Sequence, residues 1–340
     1  MLAVERVTKR FVEPLDVAAR AANLLGAGMR ERVVTALDDV SLAIGEREVV
    51  GLVGESGCGK STLGRIIAGI ASPSAGTVRF RGRALEELGQ SSGRHALLKI
   101  QMIFQDPMAS LNPRMRVKDI IGEAPVVHGL LAKANIDDYV DTLLMRVGLD
   151  PRYKSRYPHQ FSGGQRARIG IARALAVKPD FLVCDEAVAS LDVSIKAQVL
   201  NLFVQLRADL GLTYLFISHD LGVVEHITQR TVIMYLGRVV EVASTVELFG
   251  RPNHPYTQAL LANVPRLEAK KRRFKPITGE IPSPLDPPSG CHFHPRCPFA
   301  MPRCRAERPA LKQIAPDRWS ACHLNDEVST TSAGRALSPQ

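Results

Sequence analysis

The chain has 340 residues, 45% of them hydrophobic and 5% aromatic, enough to bury an α/β core and carry one or two smaller modules besides. A net charge of +10 and a pI near 9.5 point to an anionic neighbour (nucleic acid, phospholipid or nucleotide) without choosing among them. No apolar run reaches the roughly 18 residues that span a bilayer, and residues 1–10 are too charged for a signal peptide, so a soluble, cytosolic chain is expected.

In chain order, Leu2 to Val7 alternates like an edge strand and leads to Phe11, which reads either as a ring stacked on a purine or as a strand-end residue covering the core. Residues 12–34 read as an insertion with some helix. Val40 to Ile44 and Glu48 to Val53 are expected to pair around the Gly45-Glu46 turn, with Thr77 to Phe80 returning as a further strand, giving a small β subdomain. Between them lies the stretch that governs the rest: Gly54, Glu55, Ser56, Gly57, Cys58, Gly59, Lys60, Ser61 and Thr62, placed between an apolar strand and a helix-like run. Glycines let the backbone curl so that successive N–H groups and the helix N-terminus converge on a polyphosphate. Lys60 is placed to reach the β- and γ-phosphates and the Ser61 hydroxyl to ligate Mg²⁺.

Ile100 to Phe104 is a compact strand stopped by Pro107, which leaves Gln105 at its exit, either as a loop residue bound to a Mg²⁺-held water or as an ordinary loop glutamine. Residues 117–148 change to helical spacing and predict an inserted helical subdomain over about 110–178. It ends in a second glycine-rich element, Ser162, Gly163, Gly164 and Gln165, running into a helix and suited to a second anion contact. Two phosphate binders on different subdomains imply closure over nucleotide held by another copy.

Phe181 to Cys184 is a buried strand that delivers Asp185, a Mg²⁺ ligand, and Glu186, a base for an attacking water. Asp192 is placed to cap the helix that follows. Thr213 to Ile217 is a further strand, and His219 beyond it is placed to donate to a γ-phosphate oxygen. Of the six cysteines, Cys291, Cys297, Cys304 and Cys322 crowd into a proline-rich segment with little apolar material. That crowding favours a metal staple over disulfides; tetrathiolate zinc is one option, though the tight C-x2-C pairs of many zinc sites are absent, and spare reduced thiols are the other.

The order of Gly54–Thr62, Gln105, Ser162–Gln165, Leu182–Glu186, Ser190–Asp192 and His219 resembles the ATP-binding cassette (ABC) ATPase over residues 1–245. The resemblance implies an α/β P-loop NTPase core with an antiparallel β subdomain, a helical subdomain and a small irregular C-terminal cysteine-rich module. It implies that these elements are the Walker A loop, Q-loop, signature motif, Walker B strand with catalytic glutamate, D-loop and switch histidine, with Phe11 stacking on adenine. It further implies a head-to-tail dimer that sandwiches two ATP molecules with Mg²⁺.

Closer similarity, in Tyr157 to Gln165, Asp192 to Leu202 and His254 to Leu260, is to the oligopeptide/dipeptide/nickel importer branch. That branch implies a helical linker over 246–275 and a C-terminal module over 276–324, and the composition of residues 325–340 reads as a disordered tail. It implies a [4Fe-4S] cluster on the four C-terminal thiolates, a second ATPase subunit, two transmembrane permease subunits, an extracytoplasmic solute-binding protein, and a place on the cytoplasmic face of the cell membrane. No nucleic acid partner is expected, the rival being a soluble cassette ATPase on nucleic acid or ribosomes. One departure is Ala187-Val188-Ala189-Ser190, where the family carries proline after the glutamate and the Ser and Ala in the opposite order.

Overall fold

The structure, a computed structural model, describes residues 1–15, 23, 28, 31–89, 94–262 and 279–326. Leu2–Glu13 (β1) and Arg32–Ile44 (β2) pair antiparallel, Val49–Val53 (β3) leaves for a second sheet, and Ala75–Phe80 (β4) and Arg83–Ala84 (β5) complete a four-stranded sheet in the order β2-β1-β4-β5. The expected edge strand is thus an interior one of 12 residues. Charges hid its length: Arg6 pairs with Asp39 and Arg79 with Glu5, each at 3.2 Å on the exposed face, while Leu2, Val4 and Val7 are buried on the other. Within the expected insertion Val12, Glu13 and Arg32 to Val34 are strand and Asn23 is helical; residues 16–22, 24–27 and 29–30 lie outside the described residues.

Ile100–Ile103 (β6), Phe181–Asp185 (β7), Thr213–Ile217 (β8), Arg230–Tyr235 (β9), Arg238–Ser244 (β10), Lys312–Ala315 (β11) and Arg318–Ser320 (β12) join β3 in an eight-stranded sheet, ordered β11-β12-β10-β9-β3-β8-β7-β6. The stretch from β9 to β6 is parallel. This corrects the expected pairing of β2 with β3. Every residue of β3 is buried, the pattern of a strand covered on both faces, and its partners are β8 and β9 rather than its neighbour in sequence. Register pairs Gly51 and Cys184 with Phe216, so the carboxyl ends of β3, β7 and β8 open along one edge of the sheet, where α/β folds place ligands.

Helices Val117–Val127, Ile136–Arg146 and Gly163–Leu175 pack through Ile121, Val140, Leu144, Ile169 and Ala172, as the helical spacing predicts. The C-terminal residues are not the separate irregular module expected. β12 pairs with β10, Ser320 opposite Glu241, and so extends the core sheet. In the expected linker, Thr245–Gly250 and Pro255–Ala262 are helices that bury Leu248, Phe249 and Tyr256 in the same core as Phe293. Asn325 and Asp326, assigned to a disordered tail, are held by Asn253 at 3.0 Å and by Lys312 at 2.6 Å. The remainder of that tail, residues 327–340, lies outside the described residues, as does the basic run 270–273. Among the described residues no helix is long and apolar enough to cross a membrane.

Candidate active site

β3 runs through Gly54 to Gly59 into helix Lys60–Ile67. Gly59 has φ +102° and its missing Cβ would lie 2.3 Å from the Ala36 carbonyl oxygen, so no other residue fits there. Lys60 is buried and folds back on the loop, Nζ donating to the carbonyl oxygens of Gly54 at 2.8 Å and Glu55 at 2.9 Å. Cys58 is packed behind the loop, its thiol pushed up by burial. Ser61 Oγ donates to Asp185 Oδ1 at 2.9 Å. Burial raises the Asp185 carboxyl above the ordinary range, with the Ser61 hydrogen bond opposing that shift. The Ser61 hydroxyl oxygen and the carboxylate of the buried Asp185 are the hard donor set that suits Mg²⁺.

Glu186 follows in the left-handed region, φ +49°, its N–H bonded to the Ile217 carbonyl at 3.0 Å. A non-glycine residue there stores about 1–3 kcal/mol of strain, a reason to place it by design of the turn rather than by propensity. Its carboxylate accepts from Gln105 Nε2 at 2.8 Å on one oxygen and meets His219 Nδ1 at 3.1 Å with the other. Glu186, Gln105 and His219, from three strand ends, line one cleft of ≈ 480 Å³ with Ser56, Gly57, Gly59, Lys60, Ser61 and Thr62. The sequence thus named nine of the ten residues that line it; the tenth, Ala36 on β2, had no signal.

Other expected site residues lie elsewhere. Ser162, Gly163, Gly164 and Gln165 open helix Gly163–Leu175, where Ser162 and Gln165 cap one another's backbone, and none of the four lines the cleft. Asp192 occupies the N-cap position of helix Val193–Leu210, but its exposed carboxylate makes no capping bond; only its carbonyl accepts from Lys196 N–H. Phe11 is half exposed near the end of β1, with the Lys9 ammonium 5.2 Å from its ring centroid, and does not line the cleft.

The four C-terminal cysteines are free thiols. Burial pushes Cys322 up to about 11, the charges of Cys291, Cys297 and Cys304 adding to the effect. Among the described residues no group of three or more His, Cys, Asp or Glu is arranged to hold a metal ion, so the metal staple expected on these cysteines has no support in the structure. Two contacts to the loop come from residues given no site role in the sequence: Tyr256 and Arg296 both reach Glu55.

Comparison with known proteins matches residues 37–189 to the sequence model described as "ABC transporter" and residues 240–304 to "Oligopeptide/dipeptide transporter, C-terminal region". The oligopeptide transport ATP-binding protein AppF of Bacillus subtilis (strain 168) is 49% identical over 296 residues, 86% of this chain and 90% of that protein. Among solved structures, the post-hydrolysis dimer of the ATP-binding cassette MJ0796 bound to ADP and Pi aligns with TM-score 0.61 and 26% identity, covering 72% of this chain and 99% of that one. The cbiO1 protein of Clostridium perfringens, part of the ABC transporter complex cbiONQ, aligns with TM-score 0.59 and 27% identity over 74% of this chain and 90% of its own. With a phosphate loop, Glu186 and a strand-end histidine around one cleft, and with residues 37–189 and 240–304 matched, this protein belongs to the ABC transporter ATPases, in the oligopeptide/dipeptide transporter family.

Proposed function

We propose that the chain is the ATP-hydrolysing subunit of an importer of di- or oligopeptides or related solutes, working on the cytoplasmic face of the cell membrane with a second cassette subunit, two permease subunits and an extracytoplasmic solute-binding protein. One observation carries the mechanism: Glu186 is held by Gln105 and His219 over a cleft whose floor is Lys60 and Ser61, while Ser162 to Gln165 lie outside it. Glu186 is the base that orients and deprotonates the attacking water. Lys60 leaves its two carbonyl partners for the β- and γ-phosphates, and His219 donates to the γ-phosphate. Ser61 and Asp185 would hold Mg²⁺, which when bound neutralises phosphate charge. Ser162, Gly163 and Gly164 complete the site from a partner, with Asp192 at the dimer surface and Phe11 against adenine. Each chain carries both faces, so a copy of this chain is a self-complementary partner.

A strain lacking the chain is expected to lose uptake of labelled di- or oligopeptides, regained with wild-type protein and not with Lys60→Ala. Unchanged uptake, together with salt-sensitive binding of the purified chain to RNA or DNA, would favour the nucleic-acid rival.

For the C-terminal thiols we propose a structural [4Fe-4S] cluster on Cys291, Cys297, Cys304 and Cys322. Its support is the resemblance to the importer branch and the presence of four free cysteines in one segment; the described residues themselves hold no group of three His, Cys, Asp or Glu placed for a metal ion. No step of hydrolysis passes through it. Protein purified without oxygen is expected to absorb near 400 nm (order of magnitude for iron–sulfur charge transfer) and Cys297→Ser to lose that band; a colourless wild-type protein, with or without zinc, defeats the assignment.

A further inference from the structure

The carboxylate of Glu55, the second residue of the phosphate loop, is gripped by Arg296: Nη1 donates to Oε2 at 2.7 Å and Nη2 to Oε1 at 3.0 Å. The Arg296 side chain is 5% exposed and that of Glu55 19%, so both charges have left most of their water. A two-pronged pair of this kind is geometrically demanding, and removing one partner leaves the other charge uncompensated. Arg296 has little else to do. Its Nη1 also meets the Tyr235 hydroxyl at 3.3 Å, and its Nε has no hydrogen-bond partner. From the other side the Tyr256 hydroxyl accepts the Glu55 backbone N–H at 2.9 Å. Tyr235, Tyr256 and Phe293 pack as one aromatic cluster beneath, with ring centroids 4.7 to 5.4 Å apart, and fix both contacts.

Glu55 is in turn one hydrogen bond from the chemistry, because its carbonyl and that of Gly54 hold Lys60 Nζ. Tyr256 and Arg296 both fall in the stretch matched to the transporter C-terminal region, 240–304. That stretch therefore touches the nucleotide loop directly, by residues 201 and 241 positions downstream of it.

We propose that Arg296 is a positioning residue for the nucleotide site: by neutralising and orienting Glu55 it keeps the phosphate loop receptive, so that the C-terminal region takes part in ATP binding. The inference rests on the reading of this loop as the ATP site. Without Arg296 a bare carboxylate stands in the loop that must receive the triphosphate. This weakens ground-state nucleotide binding more than the hydrolytic step, which belongs to Glu186.

Equilibrium titration with a fluorescent ATP analogue and Mg²⁺, alongside kcat and KM, separates the outcomes. Arg296→Gln is expected to raise Kd and KM about tenfold, the loss of one charged hydrogen-bonded contact, with a smaller change in kcat. Arg296→Lys, which keeps the charge and loses the fork, falls between. The double variant Glu55→Gln with Arg296→Gln recovers most of the affinity, since no carboxylate remains to oppose the phosphates. Wild-type Kd in Arg296→Gln, or a double variant as weak as the single, overturns the proposal, the latter by reducing Arg296 to packing. If Arg296→Gln does not fold, an unchanged Kd in Arg296→Lys overturns it. A wild-type protein that fails to bind the analogue, or binds it equally well after Lys60→Ala, overturns instead the assignment of the loop.

Discussion

Glu186→Gln is expected to leave MgATP binding nearly intact while cutting steady-state phosphate release by about 10²–10⁴-fold, the range for loss of a general base. The amide matches the carboxylate in shape, and its oxygen still accepts from Gln105 Nε2, so the strained turn at φ +49° and the cleft wall are kept. What is lost is the lone pair that takes the proton from water. Phosphate release and equilibrium nucleotide binding, measured on the same preparation, distinguish a base from a structural residue. Hydrolysis at the wild-type rate would remove Glu186 from the chemistry, and loss of binding together with rate would make it a packing residue.

Gly164→Val is expected to be nearly as damaging for a different reason. A Cβ on Gly164 would lie 2.3 Å from Ile195 Cγ2, and Ile195 sits in the first turn of helix Val193–Leu210, directly after Asp192. The added side chain must push these two helix starts apart and moves Ser162 with them. Since none of these residues lines the cleft, binding of ATP by a single chain is expected to stay within about threefold, as for a site without shared contacts. Hydrolysis is expected to fall about 10²-fold or more, because a donor that stabilises transferring phosphate is worth that much when misplaced. Retained hydrolysis would show that the signature element does not serve the reaction.

The chemistry was legible in the sequence and the strand pairing was not, and the same physical fact explains both. Residues 54–62 and 185–186 declare themselves because phosphate binding needs particular residue types at fixed local spacing. Partner choice in a sheet depends on residues far away in sequence. The apolar run at β3 gave strand character correctly, yet whether it pairs with β2 or with β8 and β9 is decided by burial on both faces, which no local window contains. Leu2–Glu13 was cut short for the opposite reason, its polar face carrying ion pairs that break alternation. Arg296 was invisible because a buried arginine among prolines and cysteines reads as a surface residue until Glu55 is seen opposite it. Asp192 shows the limit of cap rules: residue type and position fit, and the side chain still points to solvent.

We propose that the cleft is half a site, completed by Ser162 to Gln165 of another chain, and a mixture of two inactive variants tests this: Lys60→Ala lacks a working phosphate loop and Gly164→Val a working signature. If each chain serves its own nucleotide, neither variant can help the other and the mixture stays as inactive as its parts. If the site is shared, half the dimers in an equal mixture hold one of each chain, and each such dimer has one intact site of two. Recovery of about a quarter of the wild-type ATPase rate is the expected result for a two-fold, self-complementary pair; a mixture no faster than the sum of its components would show that each chain serves its own nucleotide.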